Sequence, residues 1–175
     1  ERAEEWTAAA FRRAEALIFV GAAGIAVRSV APHLVSKARD PAVVVVDELG
    51  RFAVPILSGH LGGANDLARE IAGLLGGQAV LTTATDARGI FAFDQWARRL
   101  GCAIPDPEKI RPVASRMLAG GTAAFWSQWP VAGECPSGVV PAGQEAAQVQ
   151  LTIRDTPEPA LKLVPRIVWA GIGCR

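Results

Sequence analysis

Ser58-Gly59-His60-Leu61-Gly62-Gly63-Ala64-Asn65 puts a hydroxyl, an imidazole and a carboxamide within eight residues, with three glycines between them. A neutral imidazole near pH 7 can take a proton, give one or bind a metal. Glycines adopt positive φ and let the backbone approach a ligand, and the first N–H groups of a helix favour an anion. A tight strand-to-helix turn without a ligand is the plain alternative. His60 is one of two histidines and is the candidate base. Ser58 reads either as a nucleophile beside it or as a turn or N-cap hydroxyl. Asp47 reads either as a base or orienting group for His60, or as the cap of a hairpin loop. Gly59, Gly62, Gly63 and Asn65 are candidate binding positions. A second polar run, Thr82-Thr83-Ala84-Thr85-Asp86, comes after another apolar segment.

These residues need strands and helices to carry them. Glu1 to Ala16 has helical character, and Leu17 to Val20 is a short buried strand ending at Gly21. Gly24 opens a helix bearing Arg28, which must end near Ala31 because Pro32 disfavours a helical residue before it. Ala42 to Val46 is an apolar, β-branched strand covered on both faces. Glu48 to Arg51 has the length and the glycine of a hairpin loop, so Phe52 to Leu57 returns antiparallel. Leu67, Ile71, Leu74 and Leu75 form one face of a helix from Asn65 to Leu75, and Gly76-Gly77 ends it. Gln78 to Leu81 is another strand. Strands alternating with helices indicate a three-layer α/β domain with ligands beyond the strand ends, so the Ser58 and Thr82 loops are expected side by side.

From about Gly101 the character changes. Pro105 and Pro107 mark a linker, Glu108 to Leu118 a helix, Thr122 to Trp126 and Gln148 to Ile153 short strands, and Pro130 to Gly143 a loop. This reads as a small α+β module, giving a first domain over 1–101 and a middle one over 102–165. Asp94 and Trp96 read as part of a surface helix, and His33 as a loop histidine. No internal repeat or low-complexity tract is present.

Half the residues are hydrophobic, enough for a core, and 18 Lys+Arg against 17 Asp+Glu leave a net charge of +1. Without a basic block interleaved with aromatics, a nucleic-acid partner is not expected. No apolar run approaches the roughly 20 residues of a membrane helix, and the first residues are a charged helix rather than a signal peptide. A cytoplasmic location is expected. Cys102, Cys135 and Cys174 are too widely spaced for a zinc ribbon or a redox pair and read as reduced, mostly buried thiols. No metal site is expected. The absence of Gly-Lys-Ser/Thr and of Gly-x-Gly-x-x-Gly after a strand argues against a nucleotide binder.

The succession GIAVR, KARDPAVVVVDELGRFAVPILSGHLGGANDLA and TTATD resembles the CbiG family of cobalamin biosynthesis. The likeness is close over about Ala16 to Asp106, and the stretch to about Pro165 is similar to that family's more variable middle domain. Ile167 to Arg175 looks like the first strand of its C-terminal domain, placing 166–175 in a third, truncated domain. The resemblance implies a fragment that also lacks the first strand of its N-terminal domain.

The resemblance implies a cobalt-precorrin-5A hydrolase, which opens a δ-lactone on an anionic cobalt-tetrapyrrole and releases acetaldehyde, with cobalt carried by the substrate and no cofactor of its own. In that chemistry His60 would deprotonate water and the Gly62 and Gly63 N–H groups would receive the oxyanion. Arg28, on the helix opened by Gly24, and Lys37 would clamp substrate carboxylates. Thr82, Thr83 and Thr85 would hydrogen-bond them, or serve only strand and turn. Asp86 would join them or cap the next segment. Trp126, Trp129 and Trp169 would stack on the macrocycle, or fill a core. The alternative is a non-catalytic tetrapyrrole-binding module whose chemistry belongs to the C-terminal domain. A homodimer is compatible with either.

Overall fold

The computed structural model describes residues 3–37 and 39–166. The strand expected over Ile167 to Arg175, with Trp169 and Cys174, lies outside the described residues. The chain divides into two compact units, one running to Gly89 and one beginning at Ile90. The division precedes the Gly101 boundary expected from the linker prolines. The reason is aromatic: Phe93 and Trp96 pack on Phe125, with ring centroids 5.9 and 5.6 Å apart, and so join the second unit.

The first unit opens with α1 (Ala3–Ala10), shorter than expected because the chain turns at Phe11 to Arg13 to enter β1 (Ala16–Val20). Helix α2 (Ala23–Val30) comes next, and a 3-10 turn over Ala31–His33 leads to β2 (Ala42–Val46), β3 (Phe52–Leu57), α3 (Ala64–Leu75) and β4 (Gln78–Ala79). The sheet order is β1-β2-β3-β4, with β1 parallel to β2, β2 antiparallel to β3, and β3 parallel to β4.

Alternation along β2 sends its valines to two faces. Val44 and Val46, with Ala42 and Ala53, meet Ala64, Ala68 and Ala72 of α3. Val43 meets Leu17, Phe11 and Val30 of α2 on the other face. The unit is therefore α/β with helices on both sides of the sheet. The alanine spacing of four on α3 gives a small-residue face that lies close to the sheet, where an added side chain would overpack at about 1–3 kcal/mol.

Strand direction decides which loops can meet. The β2–β3 hairpin and the end of β1 lie at one end of the sheet. The ends of β3 and β4, and the turn that leads into β2, lie at the other.

The second unit holds α5 (Phe93–Arg99), α6 (Ile110–Leu118) and the strands β5 (Ala123–Ser127), β6 (Val139–Pro141), β7 (Val149–Leu151) and β8 (Leu161–Leu163). The short helix α4 (Ala84–Ala87) closes the first. The sheet order is β6-β5-β7-β8, and all pairs are parallel, a direction the sequence had not specified. Strand β6 interrupts the segment expected as loop from Pro130 to Gly143. Helix α5 is not simply on the surface, since Phe93, Asp94 and Ala97 are buried. Cys102 is half-buried, and burial raises its thiol pKa, whereas Cys135 is exposed rather than buried.

Candidate functional site

At the end of β3 the chain turns on Ser58, which takes a left-handed φ of 55°. That conformation is unfavourable for a residue with a side chain. The buried hydroxyl compensates locally, donating to the Asp40 carbonyl at 2.9 Å. Asp40 in turn accepts the Val35 and Ser36 N–H groups, so the turn bearing Lys37 is pinned against the Ser58 loop. Lys37 itself is exposed. Ser58 is thus a turn hydroxyl, one of its two sequence readings.

The loop folds back on itself so closely that Gly62 has no room for a side chain. A Cβ there would stand 2.4 Å from Ser58 Cβ and 2.8 Å from the Ser58 oxygen. Gly63, at φ 85°, then starts α3. The donors expected to face an anion are largely used by the loop: Gly63 N–H donates to the His60 carbonyl, Ala64 N–H to Ser58 and Asn65 N–H to Gly59. The expectation of a Gly63 oxyanion donor is corrected accordingly. No hydrogen bond among the described residues takes the Gly62 N–H.

Strand β4 runs parallel to β3, so the chain after it arrives beside this loop. Here α4 carries Thr85 and Asp86. His60 Nε2 lies 2.7 Å from Asp86 Oδ2, with both side chains largely buried. Asn65 Nδ2 donates to the same oxygen at 2.8 Å and to Thr83 Oγ1 at 3.1 Å. The Thr83 hydroxyl donates to Asp86 Oδ2, and Arg69 donates to Asp86 Oδ1. Thr85 Oγ1 lies 3.4 Å from His60 Nε2.

Burial alone would raise the Asp86 pKa. The hydrogen bonds from Thr83, His60 and Arg69 outweigh it and hold the group at about 2. Asp86 is therefore ionised at neutral pH and accepts only. His60 Nε2 must then be a donor, and in the neutral ring the lone pair sits on Nδ1. An imidazole anchored through one nitrogen to a buried carboxylate is the arrangement that orients a general base.

Of the sequence candidates, the structure brings together His60, Asn65, Thr83, Thr85 and Asp86, flanked by Gly59, Gly62 and Gly63. Thr82 is exposed in the same loop. Asp47 is elsewhere. It lies at the hairpin end, the length of β3 or about 20 Å from the His60 loop by strand rise. There it accepts the Phe52 N–H at 2.7 Å and faces Arg51 Nε at 3.6 Å. The Phe52 N–H chiefly lowers its pKa. The reading of Asp47 as partner or base for His60 is overturned in favour of the hairpin cap. Gly24 is exposed in the first turn of α2, next to the hairpin end, and Arg28 is exposed in that helix's last turn. Among the described residues no hydrogen bond or ion pair ties Arg28 to the cluster.

Arg69 was not among the candidates. It sits one turn after Asn65 on α3, a spacing that places the two on one face. It also donates to Asp66 Oδ1 at 3.1 Å. His33 packs its ring against Phe11, centroids 5.7 Å apart. In the second unit, Trp126 and Trp129 line a cavity of about 330 Å³ with Phe91, Phe93, Trp96 and Phe125. Among the described residues no group of His, Cys, Asp and Glu has the arrangement of a metal site.

Residues 5–86, which contain the whole His60–Asp86 cluster, match the family model for the N-terminal region of cobalamin synthesis protein G. The first unit is thus similar to the N-terminal domain of the cobalamin synthesis G family. It is 40% identical to the cobalt-precorrin-5A hydrolase of Salmonella typhimurium over 95% of its own length and 52% of that protein. It is 39% identical to the Priestia megaterium cobalt-precorrin-5A hydrolase over 62% of this chain and 29% of that one. Thus the chain spans about half the length of the Salmonella relative. A crystal structure described as a cobalamin biosynthesis protein G homolog from Sulfolobus solfataricus aligns with a TM-score of 0.54 at 25% identity, covering 93% of this chain and 48% of that one. The α/β architecture is thus shared with that homolog.

Proposed function

We propose that this chain supplies the base of a cobalt-precorrin-5A hydrolase acting in cobalamin biosynthesis. The observation that carries the reading is the 2.7 Å contact between His60 Nε2 and Asp86 Oδ2 inside a stretch matched by the family. The substrate is an anionic cobalt-tetrapyrrole, and the cobalt belongs to it.

His60 Nδ1 takes a proton from water as the oxygen attacks the lactone carbonyl. The imidazolium that forms is stabilised by ionised Asp86 through the Nε2–H bond. The tetrahedral oxyanion is received by the Gly62 N–H, and collapse opens the ring. The imidazolium returns its proton to the expelled ring oxygen; loss of that hydroxyl proton with cleavage of the carbon–carbon bond to the macrocycle then releases the two-carbon unit as acetaldehyde, the electron pair and a proton remaining with the macrocycle. A positioned base contributes roughly 100- to 10,000-fold to such a step. Lys37, on the turn pinned to Ser58, is the cation in this proposal that meets a substrate carboxylate; Arg28 is a second clamp from the adjoining helix. The reading also places the protein in the cytoplasm. Among the described residues, no helix is long and apolar enough to cross a membrane.

The test is acetaldehyde release by the full-length protein carrying His60→Ala. The expected result is a loss of roughly 100- to 10,000-fold in kcat with KM little changed. An unchanged rate would remove His60 from the chemistry and leave this region the role of a tetrapyrrole-binding module.

A further inference from the structure

Asp86 is held by four side chains, and the least exposed of them has an unusual orientation. Asn65 is 1% exposed, more deeply buried than Ser58 or Thr85. Its Nδ2 serves both Thr83 Oγ1 and Asp86 Oδ2. With the nitrogen committed there, Oδ1 turns toward Gly59 and has no hydrogen-bond partner among the described residues. A buried carbonyl without a partner is costly, so the orientation persists because of what the nitrogen does. Gly59 makes room for it: a Cβ at that position would stand 2.8 Å from Asn65 Oδ1.

We propose that Asn65 is a positioning residue which, with Thr83, fixes Asp86 Oδ2 against the His60 ring so that the imidazole proton rests on Nε2. The geometry stands alone, whereas the catalytic use of that positioning rests on His60 being the base. An ionised carboxylate accepts only, and Oδ2 receives Thr83 O–H, Asn65 N–H and His60 N–H. Arg69 holds only the other oxygen, so it resists rotation of the carboxylate but does not aim Oδ2. Without Asn65, one of the donors that defines where Oδ2 sits is gone, and water replaces it. The His60 N–H then exchanges with solvent instead of staying with Asp86.

The experiment is proton–nitrogen NMR of the imidazole groups in this chain. Its two histidines make assignment direct, with His60→Ala identifying the signal and His33 as internal control. The wild-type protein is expected to show a downfield, slowly exchanging His60 Nε2–H. Asn65→Ser and Thr83→Val are each expected to lose that signal to exchange while the amide spectrum stays folded. Thr83→Ser, which keeps the hydroxyl, is expected to retain it. Gly59→Ala deletes no donor and is expected to lose the signal by displacing the Asn65 amide. Should Asn65→Ser fail to fold, Thr83→Val and Gly59→Ala decide. A protected signal that survives in the folded variants, or its absence from the wild type, overturns the proposal. Because no substrate is used, failure of the hydrolase reading would show separately, as undiminished acetaldehyde release by full-length His60→Ala.

Discussion

Asp47 and Asp86 stand at opposite ends of one sheet, and both have pKa values below the ordinary carboxylate range. Their environments differ in kind. Asp47 is solvent-facing and spends its oxygens on the backbone of its own hairpin and on a neighbouring arginine. Asp86 is enclosed, and its oxygens collect side chains from the β3–α3 loop, from α3 and from its own turn. A lowered pKa therefore does not mark a working carboxylate. What marks it is a titratable partner on a different element, here an imidazole.

Substitutions at the two ends of the sheet should separate these roles. The largest effect is expected from Asp86→Ala, which leaves donors of His60, Asn65, Thr83 and Arg69 without their acceptor. Its cost in unfolding free energy, measured by denaturant titration, is about 3 kcal/mol, the low end for a broken buried pair because Arg69 reaches solvent. Gly62→Ala comes next, since its Cβ has no room beside Ser58. Overpacking of this kind costs up to about 3 kcal/mol, measured the same way, with turnover falling as the loop shifts. Ser58→Ala removes one hydrogen bond to Asp40, a loss of about 1 kcal/mol. Acetaldehyde release is expected to persist in that variant, while a collapse in kcat on a folded protein would restore the nucleophile reading. Asp47→Asn should give the smallest shift of all and no change in turnover.

Acid titration sharpens the same contrast. Asp86 has a folded-state pKa of about 2, below the ordinary value near 3.9. Its contribution to stability is present above that ordinary value and is lost as pH falls through about 2. In Asp86→Asn the drop in stability between pH 4 and pH 2 should flatten, and a slope identical to wild type would show that the carboxylate is not held as described.

Much of the scaffold was legible because alternation and small-residue spacing act locally. The valine run of β2 declared burial on both faces; on α3 the expected Leu67 and Ile71 do pack on the core, but Leu74 and Leu75 are exposed, and the face against the sheet is the row Ala64, Ala68 and Ala72. The meeting of the Ser58 and Thr82 loops came from counting strands. The choice of carboxylate did not, because Asp47 is nearer in sequence to His60 and only the antiparallel return of β3 carries it away. Arg69 was missed although its spacing from Asn65 marked a shared helix face. The self-satisfied N–H groups at the start of α3 could not be read either, since they depend on Ser58 accepting a left-handed φ that its residue type disfavours. In the second unit, β6 was hidden among glycines and prolines, where propensity points to loop.

If His60 and Asp86 act as one unit, a double-mutant cycle on acetaldehyde release by the full-length protein will show it. His60→Ala, Asp86→Asn and the pair together are compared at saturating substrate, with folding checked in each. Residues that act together lose their effect once rather than twice. The expected result is that Asp86→Asn lowers kcat in the wild-type background but adds almost nothing once His60 is alanine. Losses that multiply, with the double variant slower by the product of the two single effects, would contradict the pairing.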